Sequence, residues 1–229
     1  MKFGVVVFPG TNCERDTVRA FEAAGAQAEL LWHADGGQSL MGYDGIVLPG
    51  GFAHGDALRA GAIARFSAIM PRVIDFAATG RPLVGICNGF QVLVECGLLP
   101  GALLRNDSLQ FRAGWVTCRV ETPLFGLATG TLLRMPIAHG MGNYMPDPDR
   151  PLLDRPSPAT AGEGRVRVPT VALRYLDENP NGSWNNVAGI VHDNVLGLMP
   201  HPERAISPRL GSSDGLLLFQ ALARSLVAA

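Results

Sequence analysis

The sequence predicts an α/β fold: a mostly parallel open sheet flanked by helices, with an antiparallel extension in the second half. Three observations carry this reading. In the first hundred residues, short continuous apolar runs alternate with stretches of helical periodicity, the pattern of strands covered on both faces by crossover helices. Beyond Pro100-Gly101 the apolar runs follow one another without helices between them, which favours antiparallel neighbours. The early runs also end on glycine-containing turns, at Pro9-Gly10, at Pro49-Gly50-Gly51 and at Cys87-Asn88-Gly89. Open α/β sheets bind their ligands at such strand ends.

Taken in order, residues 3–8 read as a buried first strand closed by Pro9-Gly10. Asn12 or Thr11 can then cap a helix running to about Ala24, with Gly25 beyond it. Residues 27–32 and 45–48 read as the second and third strands. A helix is expected over 59–78, broken or kinked at Pro71. Gly80-Arg81-Pro82 resets the chain into a fourth strand through Ile86, and a helix starts near Phe90. In the second half, residues 115–120, 131–135, 166–175 and 187–191 read as strands, with Asn181-Gly182 a hairpin turn. Residues 147–164, rich in Pro, Asp and Arg, read as an exposed mobile loop. A last short strand over 196–199 and a closing amphipathic helix over 213–227 complete the chain, which reads as a single domain over 1–229. The scaffold expected is flavodoxin-like.

Composition narrows the function classes. Hydrophobic content of 47% with 17% charged residues belongs to a globular protein able to bury a sizeable core. A net charge of −1 provides no field for nucleic acid or for an anionic membrane. No apolar run reaches the roughly 18 residues a membrane helix needs, and the first residues do not resemble a signal peptide. The four cysteines form no Cys-x-x-Cys pair, which suits a reducing cytoplasm. Lys2 is the sole lysine, so a lysine Schiff base is out of reach. No phosphate-binding glycine motif and no His/Cys run with metal-ligand spacing is present, so neither a nucleotide nor a metal site is expected.

One stretch carries nucleophilic chemistry. Gly85-Ile86-Cys87-Asn88-Gly89 lies between a buried strand and a helix start, the Gly-x-nucleophile-x-Gly elbow with sulfur in place of a hydroxyl. A cysteine at a helix N-terminus also meets the positive end of the helix dipole, which favours thiolate. Cys13 is a rival nucleophile after the first strand, but it lacks the flanking glycines. Gly50-Gly51 can offer free backbone N–H groups to an oxyanion. Near the end of the chain, Pro200-His201-Pro202-Glu203 supplies an imidazole and a carboxylate. The two prolines are expected to hold this segment extended and to exclude helix, so that His201 and Glu203 share one side. Nucleophile, base and orienting acid are then all available. These residues alone also fit a stand-alone cysteine hydrolase or γ-glutamyl peptidase.

The two motifs together resemble the class I, triad-type glutamine amidotransferases. The resemblance narrows further on Phe8-Pro-Gly-Thr-Asn-Cys-Glu14, Leu48-Pro-Gly-Gly-Phe52, Gly55-Asp56, Asn179-Pro-Asn-Gly-Ser183 and Met199-Pro-His-Pro-Glu-Arg204. These are similar to the separate glutaminase subunits of phosphoribosylformylglycinamidine synthase, an enzyme of purine biosynthesis. The resemblance implies Cys87 as nucleophile, His201 as general base and acid, and Glu203 as orienting carboxylate. It also implies backbone N–H groups of Asn88 and Gly51 as the oxyanion hole, and Gln91, His139 and Gly140 as substrate contacts. Glutamine would be the substrate. The partners would be a synthetase subunit and a small third subunit, with ATP and magnesium on the synthetase and no cofactor in this chain. Met141 departs from the family pattern, which has an acidic residue there, and the 147–164 loop is longer than in the family.

Overall fold

A computed structural model of the chain describes residues 1–153 and 166–225. The first half builds β1 (Lys2–Val7), α1 (Glu14–Ala23), β2 (Gln27–Trp32), β3 (Gly45–Leu48), α2 (Met70–Ala77), β4 (Leu83–Ile86) and α3 (Asn88–Glu95). The second half adds β5 (Ala102–Leu104), β6 (Arg112–Val120), β7 (Leu132–His139), β8 (Asn143–Met145), β9 (Val166–Tyr175), β10 (Val187–Asp193), β11 (Val195–Leu198) and α4 (Asp214–Ser225). One sheet runs in the order β2-β1-β3-β4-β11-β10-β9-β6-β7. It is parallel from β2 to β11 and antiparallel from β11 to β7. The fold class is therefore as the sequence predicts: a flavodoxin-like parallel half with an antiparallel extension. A separate two-stranded sheet, β5 with β8, was not foreseen.

The central strands are buried along their whole length, as continuous apolar runs require. Phe3 stacks on Phe21 of α1 with ring centroids 4.1 Å apart, and Phe219 of α4 meets Phe21 edge-on at 4.9 Å. This aromatic trio fixes both helices to the sheet. α3 lies closer still. A Cβ added at Gly89 would stand 1.8 Å from the Leu48 carbonyl oxygen, and one added at Gly197 would stand 2.1 Å from the Phe90 ring. Only glycine lets the helix that follows Cys87 sit this deep against β3 and β11.

Several expectations are corrected. The helix expected over 59–78 is present only as α2, preceded by a 3₁₀ turn at Ala64–Phe66. Gly61 has φ +82°, with its Cα pressed against the Gln91–Val92 backbone, and Ser67 is extended, so the chain leaves helix twice before Met70. Pro71 causes no kink, because it lies in the first turn of α2, where a missing N–H costs nothing. Asn181-Gly182 is not a hairpin turn. β9 and β10 are joined through a longer loop stapled by Asn179 Oδ1, which accepts the N–H groups of Gly182 (3.0 Å) and Ser183 (3.2 Å). The strand expected over 131–135 continues to His139. Of the loop expected over 147–164, residues from 154 onward lie outside the described residues. No helix among the described residues is long and apolar enough to cross a membrane.

Replacing Gly89 with alanine forces a Cβ against backbone that no rotamer change can relieve. Gly89→Ala is expected to lose about 1–3 kcal/mol of stability, read by urea denaturation as a lower midpoint at unchanged slope.

Candidate active site

The elbow is real and strained. Cys87 has φ +50° and ψ −104°, outside every region a side chain favours, between β4 and the first residue of α3. Its N–H donates to Leu198 O at 2.7 Å, so the turn hangs from the end of the neighbouring parallel strand β11. That strand continues through Met199-Pro200 to His201, which is why two residues far apart in sequence meet. His201 N–H donates to Pro136 O at 2.8 Å, and Cys87 Sγ lies 3.8 Å from Ala138 O, so the end of β7 forms the third side.

His201 Nδ1 is 2.6 Å from Glu203 Oε1, with both side chains almost fully buried. The route to this contact differs from the one expected. Pro202–Arg204 is a 3₁₀ turn with His201 as its N-cap, not extended chain. Proline at the first position of a helical turn has no N–H to lose, so Pro202 starts the turn instead of preventing it. Burial resists charging the His201 ring, but Glu203, Cys87 and Cys13 outweigh it and raise its pKa well above the ordinary imidazole value. With Glu203 on Nδ1, the tautomer is set, and Nε2 is buried without a hydrogen-bond partner among the described residues.

Cys13 is not remote from this group: its Sγ is 3.8 Å from His201 Nδ1 and accepts an N–H from Arg204 at 3.0 Å. Cys13, His201 and Glu203 place their donor atoms within 4.8 Å of one another, a grouping the sequence spacing did not suggest. The donors are already engaged, Nδ1 by the carboxylate and the sulfur by the guanidinium. Burial holds the Cys13 thiol above its usual range. It stands on the glutamate side of the ring, whereas Cys87 opens onto a cleft.

That cleft is lined by Cys87, Gly51, Gln91, His139, Gly140 and Met141, together with Phe52, Asp56 and Phe111. Most residues expected at the site therefore surround one space. Gly51 is fixed by a bridge to Thr11, and neither its N–H nor that of Asn88 makes a hydrogen bond among the described residues. Asn88 braces the site with its side chain: Oδ1 accepts the Ala53 N–H at 2.9 Å, while Nδ2 donates to Gln91 Oε1 (2.9 Å) and Asp56 Oδ1 (3.1 Å). Gln91 Nε2 donates to Met141 O at 2.6 Å. Its amide thus spans from α3 to the loop between β7 and β8, and Met141 takes part through its backbone.

His139 is set by a residue the sequence reading missed. Asn106 Nδ2 donates to Gln110 O and His139 O, both at 2.9 Å, and its Oδ1 accepts the Gly142 N–H at 3.0 Å. The same oxygen lies 3.2 Å from His139 Nδ1, which must therefore be the protonated nitrogen. Nε2 is then a bare lone pair, buried without a partner among the described residues. Burial, followed by the nearby His201, lowers the His139 pKa to about 4. Asn106 escapes notice in the sequence, and Asp56 is read only as part of a Gly55-Asp56 motif and given no role at the site, because turn geometry and contacts distant in sequence place them.

The fold and the site define a class: an α/β hydrolytic domain with an elbow cysteine backed by a His–Glu pair. The family of CobB/CobQ-like glutamine amidotransferase domains matches residues 1–213. The chain is 52% identical over 226 residues to phosphoribosylformylglycinamidine synthase subunit PurQ of Rubrobacter xylanophilus, covering 94% of each protein. It is 49% identical over 233 residues to the subunit of that name from Thermus thermophilus, covering 98% of each. A chain in the structure of PurLQS from Thermotoga maritima superposes with a TM-score of 0.84 at 39% identity, covering 98% of both chains. The chain belongs to the PurQ family of glutamine amidotransferases.

The neutral His139 has a pH signature. Between pH 6.5 and about 4 the unfolded chain takes up a proton at this histidine that the folded chain refuses, so stability falls as pH falls through that window. The loss amounts to about 3 kcal/mol. Urea unfolding across pH 4–7 should show His139→Gln losing less stability than wild type on acidification.

Proposed function

We propose that this chain is a glutaminase subunit: it hydrolyses glutamine to glutamate and ammonia, and supplies the ammonia to a partner synthetase that makes formylglycinamidine ribonucleotide from formylglycinamide ribonucleotide. The observation that carries the reading is the strained Cys87 elbow opening onto a cleft beside the His201–Glu203 pair. Cys87 thiolate attacks the side-chain amide carbon of glutamine. The oxygen gains negative charge and is held by the N–H groups of Gly51 and Asn88, which are without partners among the described residues. His201 passes its Nε2 proton to the departing nitrogen, leaving a γ-glutamyl thioester and ammonia. The ring then takes a proton from water, which attacks the thioester and releases glutamate. Glu203 holds the ring in the tautomer both steps require and stabilises its charged form.

Gln91 braces the cleft, and His139 and Gly140 form the wall opposite Cys87 against which the substrate is held. ATP and magnesium belong to the synthetase in this reading, and a small third subunit completes the assembly. Four free cysteines fit a cytoplasmic location.

The reading is tested in the complex of this chain with its synthetase and third subunit. Cys87→Ala is expected to abolish glutamine-dependent synthesis while ammonium salts still support it; retention of glutamine-dependent turnover would overturn the assignment. Glu203→Gln keeps the shape but loses the charge that fixes the ring. By analogy with the serine-protease aspartate it should lower glutamine-dependent kcat by about 10²–10⁴-fold, measured as glutamate release.

A further inference from the structure

Asp56 is the one charged side chain lining the Cys87 cleft among the described residues, and the mechanism above leaves it unused. Its position is imposed by unusual backbone. His54, Gly55 and Asp56 follow one another at φ +52°, +67° and +53°, and Leu58 lies at +68°. A run of left-handed residues persists only where surrounding structure enforces it, and such runs gather at functional sites. The enforcing contacts are present: His54 N–H donates to Pro9 O at 2.6 Å, and Asn88, the residue after the nucleophile, donates to Asp56 Oδ1 at 3.1 Å. The second carboxylate oxygen accepts no hydrogen bond among the described residues, and no cation pairs with it. Arg59, on the same rim, is taken by Glu95 through two nitrogens at 2.6 and 2.7 Å. Burial pushes the Asp56 carboxyl above its usual range, as expected of a half-buried carboxylate without a counter-charge.

An uncompensated carboxylate aimed into a substrate cleft calls for a cation on the substrate. Glutamine carries one, its α-ammonium, at the far end from the amide carbon that Cys87 attacks. We propose that Asp56 is a specificity-determining residue that binds the α-ammonium group of glutamine and so selects an amino acid over a plain carboxamide. This rests on the glutaminase reading. The Asn88 side chain then links substrate recognition to the nucleophile, since it holds Asp56, Gln91 and the Ala53 N–H at once.

The test compares glutamine with glutaramic acid, which is glutamine without its α-amino group, as substrates of the assembled complex. Asp56→Asn keeps an acceptor for Asn88 and removes the charge. Wild type should favour glutamine in kcat/KM by about 10- to 100-fold, the worth of a charged hydrogen bond, and Asp56→Asn should bring that ratio close to one, mostly through KM for glutamine. Protection of Cys87 from iodoacetamide by each compound reads the same ratio without turnover. A ratio unchanged by Asp56→Asn, or equal losses with both compounds, would assign Asp56 a structural role and overturn the inference alone. Failure of wild type to hydrolyse glutamine, or of glutamine to protect Cys87, would overturn the glutaminase reading and this inference with it.

Discussion

The seating of α3 against β3 is the constraint from which the site follows. With Gly89 pressed on the Leu48 carbonyl, the chain leaving β4 has no room for a gradual entry into the helix and must turn within one residue. That residue is Cys87, and its left-handed backbone costs about 1–3 kcal/mol. The cost is borne by contacts that have nothing to do with sulfur: the Leu198 carbonyl on the Cys87 N–H, the Gly197–Phe90 fit, and the burial of Phe90, Val92 and Leu93. The same geometry leaves the Asn88 N–H without a partner among the described residues and turns the thiol toward the cleft. A cleft-facing thiol and an N–H donor without a partner among the described residues are thus two consequences of one backbone fit.

Charge is arranged around this fit so that the cleft holds one imidazolium and no more. Glu203 and Cys87 favour a protonated His201 against the opposition of burial. A second imidazolium beside it would repel the first, and His139 is kept neutral by burial and by His201 itself, with its proton pinned on Nδ1 by Asn106. Arg204 supplies a further positive charge, but on the outer side, where it binds Cys13 and approaches Asp16. Cys13 is therefore part of the packing behind the His–Glu pair, a sulfur near the ring yet outside the cleft.

The sequence announced those parts of the site that are local. A strand, a Gly-x-Cys-x-Gly elbow and a helix are contiguous, so Cys87 and Gly89 could be placed from spacing, and Gln91, one helical turn on, from the resemblance. Pro-His-Pro-Glu signalled His201 and Glu203 even though the backbone expected there was wrong, because an extended segment and a 3₁₀ turn both bring these two side chains together. The parts that escaped depend on contacts between distant segments. Gly61 breaks an otherwise helical pattern because it must lie on the backbone of α3, which periodicity cannot show. Asn106 matters only because His139 and Gly142 arrive beside it. The α/β order and the switch to antiparallel strands were legible because they are written as alternation and its loss.

The left-handed run at 54–56 and the elbow at Cys87 sit on opposite sides of one side chain, that of Asn88, which satisfies both. This placement explains why an amide stands after Cys87 in physical terms. A carboxylate there could accept the Ala53 N–H but could not donate to Asp56 or Gln91, and it would place a like charge beside Asp56. A hydroxyl could not make three bonds in these directions. Only a side chain with an acceptor and two donors closes the network. Strain in the left-handed run at 54–56 is therefore coupled to the position of α3 through a hydrogen-bonded bridge, and a disturbance on either side is felt at both.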